Sequence, residues 1–160
     1  MIRPAKLKDS KLIANIYNSY ISLGSASMDK PKNQQDIAQW LNTYTDREGV
    51  FVFEEDNNIK GWGIIKKYSD RYGYRFACET SVYVHKDHKQ QGIGGKINAY
   101  LIDKAKAFNY KHLTAKIFAS NTASINFFKK FGYTVVGKQH KIGYVNNKWI
   151  DMIIMEKLID

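Results

Sequence analysis

Cysteine is almost missing from this 160-residue chain. Cys78 stands alone, so no intrachain disulfide can form, and the chain by itself cannot build a thiolate-rich zinc site. Proline is equally scarce, with only Pro4 and Pro31, and glycine numbers 11, which excludes collagen-like and low-complexity classes. No apolar run approaches the ~20 residues of a bilayer span, and the opening Met1-Ile2-Arg3-Pro4-Ala5-Lys6 leads into no signal-peptide core. A cytoplasmic chain with no membrane partner is therefore expected. Acidic groups are also in deficit, 15 against 25 lysines and arginines, for a net charge of +10. The deficit is local: residues 1–80 hold 12 basic and 10 acidic groups, whereas residues 81–160 hold 13 and 5. An anionic partner for the second half follows, and nucleic acid, a membrane surface or a phosphorylated cofactor would each satisfy it. Of the cations 21 are lysines, which suit point-charge phosphate binding better than forked base readout.

What is present is an ordinary globular composition, 44% hydrophobic and 14% aromatic, on a length that fits one domain over residues 1–160. Residues 1–6 read as a short strand. Asp9 is placed to cap a helix carrying Ile13, Ile16, Tyr17, Tyr20 and Ile21 at helical spacing, and Ile37, Trp40, Leu41 and Tyr44 repeat that spacing. Strands are predicted over 50–54 and 59–67, joined by the turn sequence Asp56-Asn57-Asn58, and then over 76–85. Gly92, Gly94 and Gly95 separate that last strand from a helix with Ile97, Leu101, Ala105 and Phe108 on one face. A strand over 112–119, a short helix over 122–131 closed by Gly132, and two strands flanking Asn146-Asn147 complete the pattern. Strands alternating with helices on a mixed sheet make an α/β (α+β) domain.

Chemistry is expected at the junction Lys89-Gln90-Gln91-Gly92-Ile93-Gly94-Gly95. Glycine lets main chain approach an anion, and a helix start offers unpaired N–H groups with partial positive charge; Lys86, Lys89 and Lys96 add cations. An ordinary glycine turn would read the same. No Ser or Thr follows Lys96 as a Walker loop requires, and the glycine spacing is not that of the dinucleotide fingerprint. A phosphate-bearing cofactor of another kind is left.

These residues carry a resemblance. Ser81-Val82-Tyr83-Val84 followed by the 89–95 loop is similar to the acetyl-CoA loop of the GNAT superfamily of N-acetyltransferases, and Asn121-Thr122-Ala123-Ser124-Ile125 through Phe131-Gly132-Tyr133 resembles that superfamily's second motif. Cys78 through Val84, and Gly143-Tyr144 with Trp149-Ile150-Asp151, look closer still to its phosphinothricin and methionine-sulfoximine acetyltransferases. The likeness runs from Ile2-Arg3-Pro4-Ala5 to the last strand. It implies a mostly antiparallel twisted sheet flanked by helices, with splayed central strands. It also implies acetyl-CoA as co-substrate, a small amine acceptor and, as is frequent in this branch, a homodimer; no nucleic-acid partner is expected, because the cations gather around a glycine loop.

The resemblance also assigns residues. Val82, Tyr83 and Val84 would pair with the pantetheine arm, Lys89, Gln90, Gln91, Gly92, Ile93, Gly94 and Gly95 would hold the phosphates, and Asn121 and Lys130 would complete the cofactor site. Asn121 also reads as a helix N-cap. Glu79 is similar in position to the branch's general base, able to take a proton from an ammonium directly or through water; its other reading is a solvated strand glutamate. A bulge, usual for the superfamily in this strand, would shift the face that Glu79 takes. Tyr72, Tyr74 and Arg75, with Arg71, are candidates for an acceptor pocket in which an arginine grips an anionic group. Phe128 departs from the tyrosine that many members use to protonate departing coenzyme A, so no acid can act from that position. His85-Lys86-Asp87-His88 has metal-like spacing but no further ligands, so no metal is expected, and Cys78 lacks an adjacent histidine base. The function expected is acetyl transfer to the α-amine of an amino-acid-like acceptor by direct attack on the thioester. A protein or peptide amine is the alternative acceptor. A basic nucleic-acid-binding module is the alternative from another class, and cations gathered around a glycine loop, rather than interleaved with aromatics on strands, argue against it.

Overall fold

The computed structural model describes residues 1–24 and 27–160. In chain order the elements are β1 (Ile2–Pro4), α1 (Ser10–Leu23), α2 (Gln34–Thr43), β2 (Gly49–Glu55), β3 (Asn58–Lys67), β4 (Ala77–Val84), α3 (Ile93–Ala107), β5 (His112–Phe118), α4 (Thr122–Lys130), β6 (Thr134–Val145) and β7 (Lys148–Leu158). The two hairpin turns work as their sequences require: Asp56 and Asn57, like Asn146 and Asn147, take positive φ at both central positions, which matches the twist of the flanking strands. Asn33 caps α2 reciprocally with Asp36, each side chain accepting the other's main-chain N–H at 2.8 Å.

Asp9 departs from the expected cap. Residues 7–9 form a 3₁₀ turn that feeds directly into α1, so Asp9 is itself already helical. Its carboxylate accepts instead from the Lys6 N–H at 2.7 Å and from the Arg3 guanidinium at 2.7 and 3.2 Å, while Arg3 also donates to Glu54 at 2.7 Å. The cluster ties β1, the start of α1 and β2 together.

The strands form one sheet in the order β1-β2-β3-β4-β5-β7-β6, antiparallel throughout except between β4 and β5. That parallel pairing spans only Ala77–Glu79 against His112–Thr114, after which the two strands part. The splay expected of the fold is therefore present. The β3–β4 register runs without a shift from Gly61 opposite Val84 to Lys67 opposite Cys78, so the anticipated bulge in β4 does not disturb that pairing. Side chains then alternate regularly along β4, with Glu79 and Tyr83 on one face and Cys78, Val82 and Val84 on the other.

Each face has its own core. On one, Ile97, Leu101 and Ala105 of α3 pack on Cys78, Leu113 and Met155. On the other, Ile13 and Ile16 of α1 and Ile37 of α2 pack on Val52 and Trp62. Among the described residues this second cover stops at β4, which leaves the same face of β5, β7 and β6 without a helix packed closely over it. α3 sits tightly on β3: a Cβ at Gly63 would lie 2.6 Å from Ile97 Cγ2 and 2.8 Å from Leu101 Cδ1. Gly63→Ala is expected to cost about 1–3 kcal/mol by overpacking, read as a lower urea midpoint with an unchanged slope.

Candidate active site

The gap between β4 and β5 is the centre of the site. Cys78 is paired across to Leu113, but from Thr80 onward β4 has no strand on this side. Val84 shows which main-chain groups the gap receives: its N–H donates to the Tyr20 hydroxyl and its C=O accepts from the same hydroxyl, both at 2.9 Å. Main-chain polar groups of alternate strand residues point the same way, so those of Val82 face the gap too, while Tyr83 is turned to its β3 partner Trp62. Tyr83 stacks its ring on Trp62 at 4.5 Å and its phenol is driven up by burial.

Three neighbouring spaces follow from this arrangement. A groove of about 650 Å³ runs along the start of α3 and α4. It receives Lys89, Gln90 and Gly92 through Gly95 from the loop, Val82 and Val84 from β4, and Asn121 and Lys130 from α4. Tyr83 does not reach the groove and borders the gap instead, and Gln91 borders neither space because its amide turns back to the Asp87 carbonyl at 3.5 Å. The gap itself is a narrow cleft of about 60 Å³ that shares Tyr20, Val82, Asn121, Ser124 and Phe128 with the groove. On the uncovered face of β5 and β7 lies a cavity of about 750 Å³, which shares Lys116 with the cleft.

The groove suits a phosphorylated, extended ligand. Gly92 holds φ +78° at the N-cap of α3 and Gln90 holds φ +62°, so the loop folds back and leaves the first N–H groups of the helix without intrahelical partners. A Cβ at Gly94 would already stand 3.5 Å from Val84 Cγ2 and 3.7 Å from the Phe127 ring, so the absence of a side chain there is what keeps the groove open. Lys89, whose ammonium lies 4.8 Å from the Tyr20 ring centre, and Lys130 supply positive charge. Asn121 is the N-cap of α4, its carbonyl oxygen accepting the Ser124 N–H at 3.2 Å, and it borders both groove and cleft.

Glu79 shares the sheet face of the large cavity but lines none of the three spaces; its carboxylate, 15% exposed, lies behind Lys116, which borders both the cavity and the cleft. Lys116 Nζ stands 3.4 Å from one carboxylate oxygen and Lys66 Nζ 3.9 Å from the other. Among the residues expected around an acceptor, Tyr74 borders the cavity, but Tyr72 and Arg75 do not. The Arg75 guanidinium is stacked 4.0 Å from the Tyr72 ring centre and 4.5 Å from that of Phe76, and it donates to the Tyr72 carbonyl at 3.2 Å. The cavity is bordered instead by Tyr68, by Lys116, and by His112, whose Nε2 is 2.9 Å from Glu156 Oε2.

Sequence reasoning missed Tyr20 and Lys116. Tyr20 reads as a core aromatic of α1, and nothing in its spacing tells that its hydroxyl bonds a strand 64 residues away. Lys116 had a signal: it is the single cation within the otherwise buried run from Leu113 to Phe118. Phe128 is buried against Phe127 and Tyr133 and borders the cleft, so an apolar ring occupies the position from which a phenol would act. Cys78 is fully buried, and burial pushes its thiol up to about 12, which removes it as a nucleophile. Among the described residues no three His, Cys, Asp or Glu side chains converge as metal ligands; His85 Nδ1 accepts the Asp87 N–H at 3.2 Å. No helix among them is long and apolar enough to cross a membrane.

Comparison with known proteins gives the same picture. The family model for the acetyltransferase (GNAT) domain matches residues 2–154. L-amino acid N-acyltransferase MnaT of Escherichia coli is 29% identical over 161 residues, covering 99% of this chain and 94% of the relative. The L-methionine sulfoximine/L-methionine sulfone acetyltransferase of Salmonella typhimurium is 30% identical over 165 residues with the same coverage. Among solved structures, an N-acetyltransferase from Staphylococcus aureus Mu50 superposes with a TM-score of 0.95 at 33% identity, covering 100% of this chain and 98% of its own. The yncA structure from Salmonella typhimurium, described as an acetyltransferase with its cofactor acetyl-CoA, superposes with a TM-score of 0.95 at 28% identity over 100% and 94%. A strand gap opening on a glycine-loop groove, in a chain matched by that domain model almost end to end, makes this protein a member of the GNAT family, an N-acetyltransferase with acetyl-CoA as its co-substrate.

Proposed function

We propose that the chain acetylates the α-amine of a small, amino-acid-like acceptor, with Glu79 taking the amine proton. The observation that carries this reading is the cleft between β4 and β5, which shares five lining residues with the glycine-loop groove and shares with the large cavity Lys116, the partner of Glu79. Bound acetyl-CoA supplies the thioester. The chain's own part is to hold the pantetheine along the free edge of β4, through the main chain of Val82 and Val84, and to bring the acceptor to the cleft from the opposite side. An acyl oxygen bound at the Val84 N–H displaces the Tyr20 hydroxyl from it, and the fixed main-chain dipole there then meets the charge that develops in the transition state. With Phe128 in place of a hydroxyl, the departing thiolate takes its proton from water or from the amine. A thiol with a reference pKa of about 8.5 needs little more.

Relatives that act on L-methionine sulfoximine and sulfone, on phosphinothricin and on L-amino acids favour an amino-acid acceptor over a protein amine. Acceptors with a tetrahedral polar terminus are expected to be best, and plain apolar amino acids poor. A screen of amino acids, polyamines and peptides with acetyl-CoA, read as coenzyme A release, tests this. Activity confined to polyamines or protein amines overturns the acceptor class. The reading also includes a cytoplasmic homodimer. β6 is a 12-residue edge strand exposing Val135, Val136 and Ile142, next to the exposed pair Tyr144 and Trp149, and such an edge calls for a second copy to pair with it.

A further inference from the structure

An α-amino acid carries an ammonium and a carboxylate on one carbon, about 3 Å apart. The site holds the complementary pair at nearly that separation: Glu79 Oε2 and Lys116 Nζ, 3.4 Å apart, on neighbouring strands at the point where those strands part. Of the two lysines on Glu79, only Lys116 borders the spaces through which ligands would pass. It lines both the cleft and the large cavity, whereas Lys66 lines neither. The Lys116 side chain is 43% exposed, so its ammonium can be approached, and Tyr68 lies beneath it at 5.8 Å. Arg75, the cation that sequence reasoning would use to grip the acceptor, is committed to the rings of Tyr72 and Phe76 and to the Tyr72 carbonyl.

Resting on the α-amine reading above, we propose that Lys116 is the specificity-determining contact for the acceptor's α-carboxylate. Docking exchanges one ion pair within the protein for two with the ligand. The acceptor ammonium takes the place of Lys116 on Glu79, and the acceptor carboxylate takes the place of Glu79 on Lys116. No buried charge is left unpaired at any stage. The exchange orients the amine, because with the carboxylate fixed on β5 the amine is directed toward β4 and the cleft, and the amino-acid side chain is left to the 750 Å³ cavity with its His112–Glu156 pair. The substrate class that follows is free α-amino acids, in preference to amines of similar shape that lack the carboxylate.

The test compares each free acid with its own α-carboxamide, using methionine sulfone and the common L-amino acids with their amides, in the unsubstituted enzyme and in Lys116→Met, Lys116→Arg and Lys66→Met. A charge-assisted contact is worth a factor of about 10 to 100. Lys116→Met should therefore raise KM for the acids by that factor and leave the amides nearly unmoved. Lys116→Arg should restore most of the preference, and Lys66→Met should leave the acid-to-amide ratio unchanged. A cation that acted only on the charge of Glu79 would change both substrates equally, and that result overturns the proposal. So does an unsubstituted enzyme that takes amides or simple amines as readily as the acids, even though acetyl transfer itself would stand. Failure to acetylate any amine would instead remove the functional reading beneath it.

Discussion

Glu79→Gln is expected to lower kcat about 10²-fold, the usual range for loss of a positioned base, while leaving the KM for acetyl-CoA unchanged. The separation follows from position: Glu79 lies on the cavity face of β4 and the groove lies across the sheet, with none of its lining supplied by Glu79. Glutamine keeps the shape and the acceptor oxygen and removes the charge. Stability should barely change, because Lys66 and Lys116 are each nearly half exposed and stay hydrated when their partner is neutralised, and such pairs contribute about 0–1 kcal/mol. The pH dependence is the more specific signature. Without a base the reaction draws on the acceptor's free-amine fraction, which grows tenfold per pH unit below the amine's own pKa, so the deficit should be largest at low pH and narrow as pH rises. Full activity of the glutamine variant at every pH would remove Glu79 from the mechanism.

How much of this site could be read from sequence depends on whether the relevant interactions were local. The hairpin residues Asp56-Asn57 and Asn146-Asn147, the cap at Asn33 and the glycines of the 89–95 loop announce themselves because each solves a main-chain problem within a few residues. Element order and type follow from such signals, and Asn121 falls at the N-cap of α4. Asp9 misled because a 3₁₀ turn and a helix make the same demand on a carboxylate, and Arg3 then competed for it. Residues 72–75 are a different case. They are close to Glu79 along the chain, but a guanidinium with two rings beside it is held by local stacking, and Gly73 and Tyr74 alone of the four border the cavity. What escaped notice altogether came from strand order. Placing β5 beside β4 brings Lys116 to Glu79 across 37 positions of sequence, and placing β7 beside β5 brings Glu156 to His112 across 44.

Gly94→Val should abolish stabilisation by coenzyme A while leaving the ligand-free protein folded. The position is helical and its φ lies outside the left-handed region, and valine is a better helix former than glycine, so the exchange costs nothing in helix propensity. The damage is to space. The added Cβ falls within ordinary contact of Val84 and Phe127, and the two further methyls must lie against those neighbours or over the helix N–H groups that would receive the phosphates. A ligand that binds only the native state at 100 times its Kd adds about 2.7 kcal/mol, which for a domain of this length raises Tm by about 5–10 °C. That rise should be seen with the unsubstituted protein and vanish in the variant, whose own Tm stays close to the parent's. Gly92→Ala makes the informative contrast. Nothing lies within 4 Å of a Cβ there, but φ is +78°, so alanine should lower Tm through backbone strain and keep most of the coenzyme A shift. An undiminished shift in Gly94→Val would place the cofactor phosphates somewhere other than the start of α3.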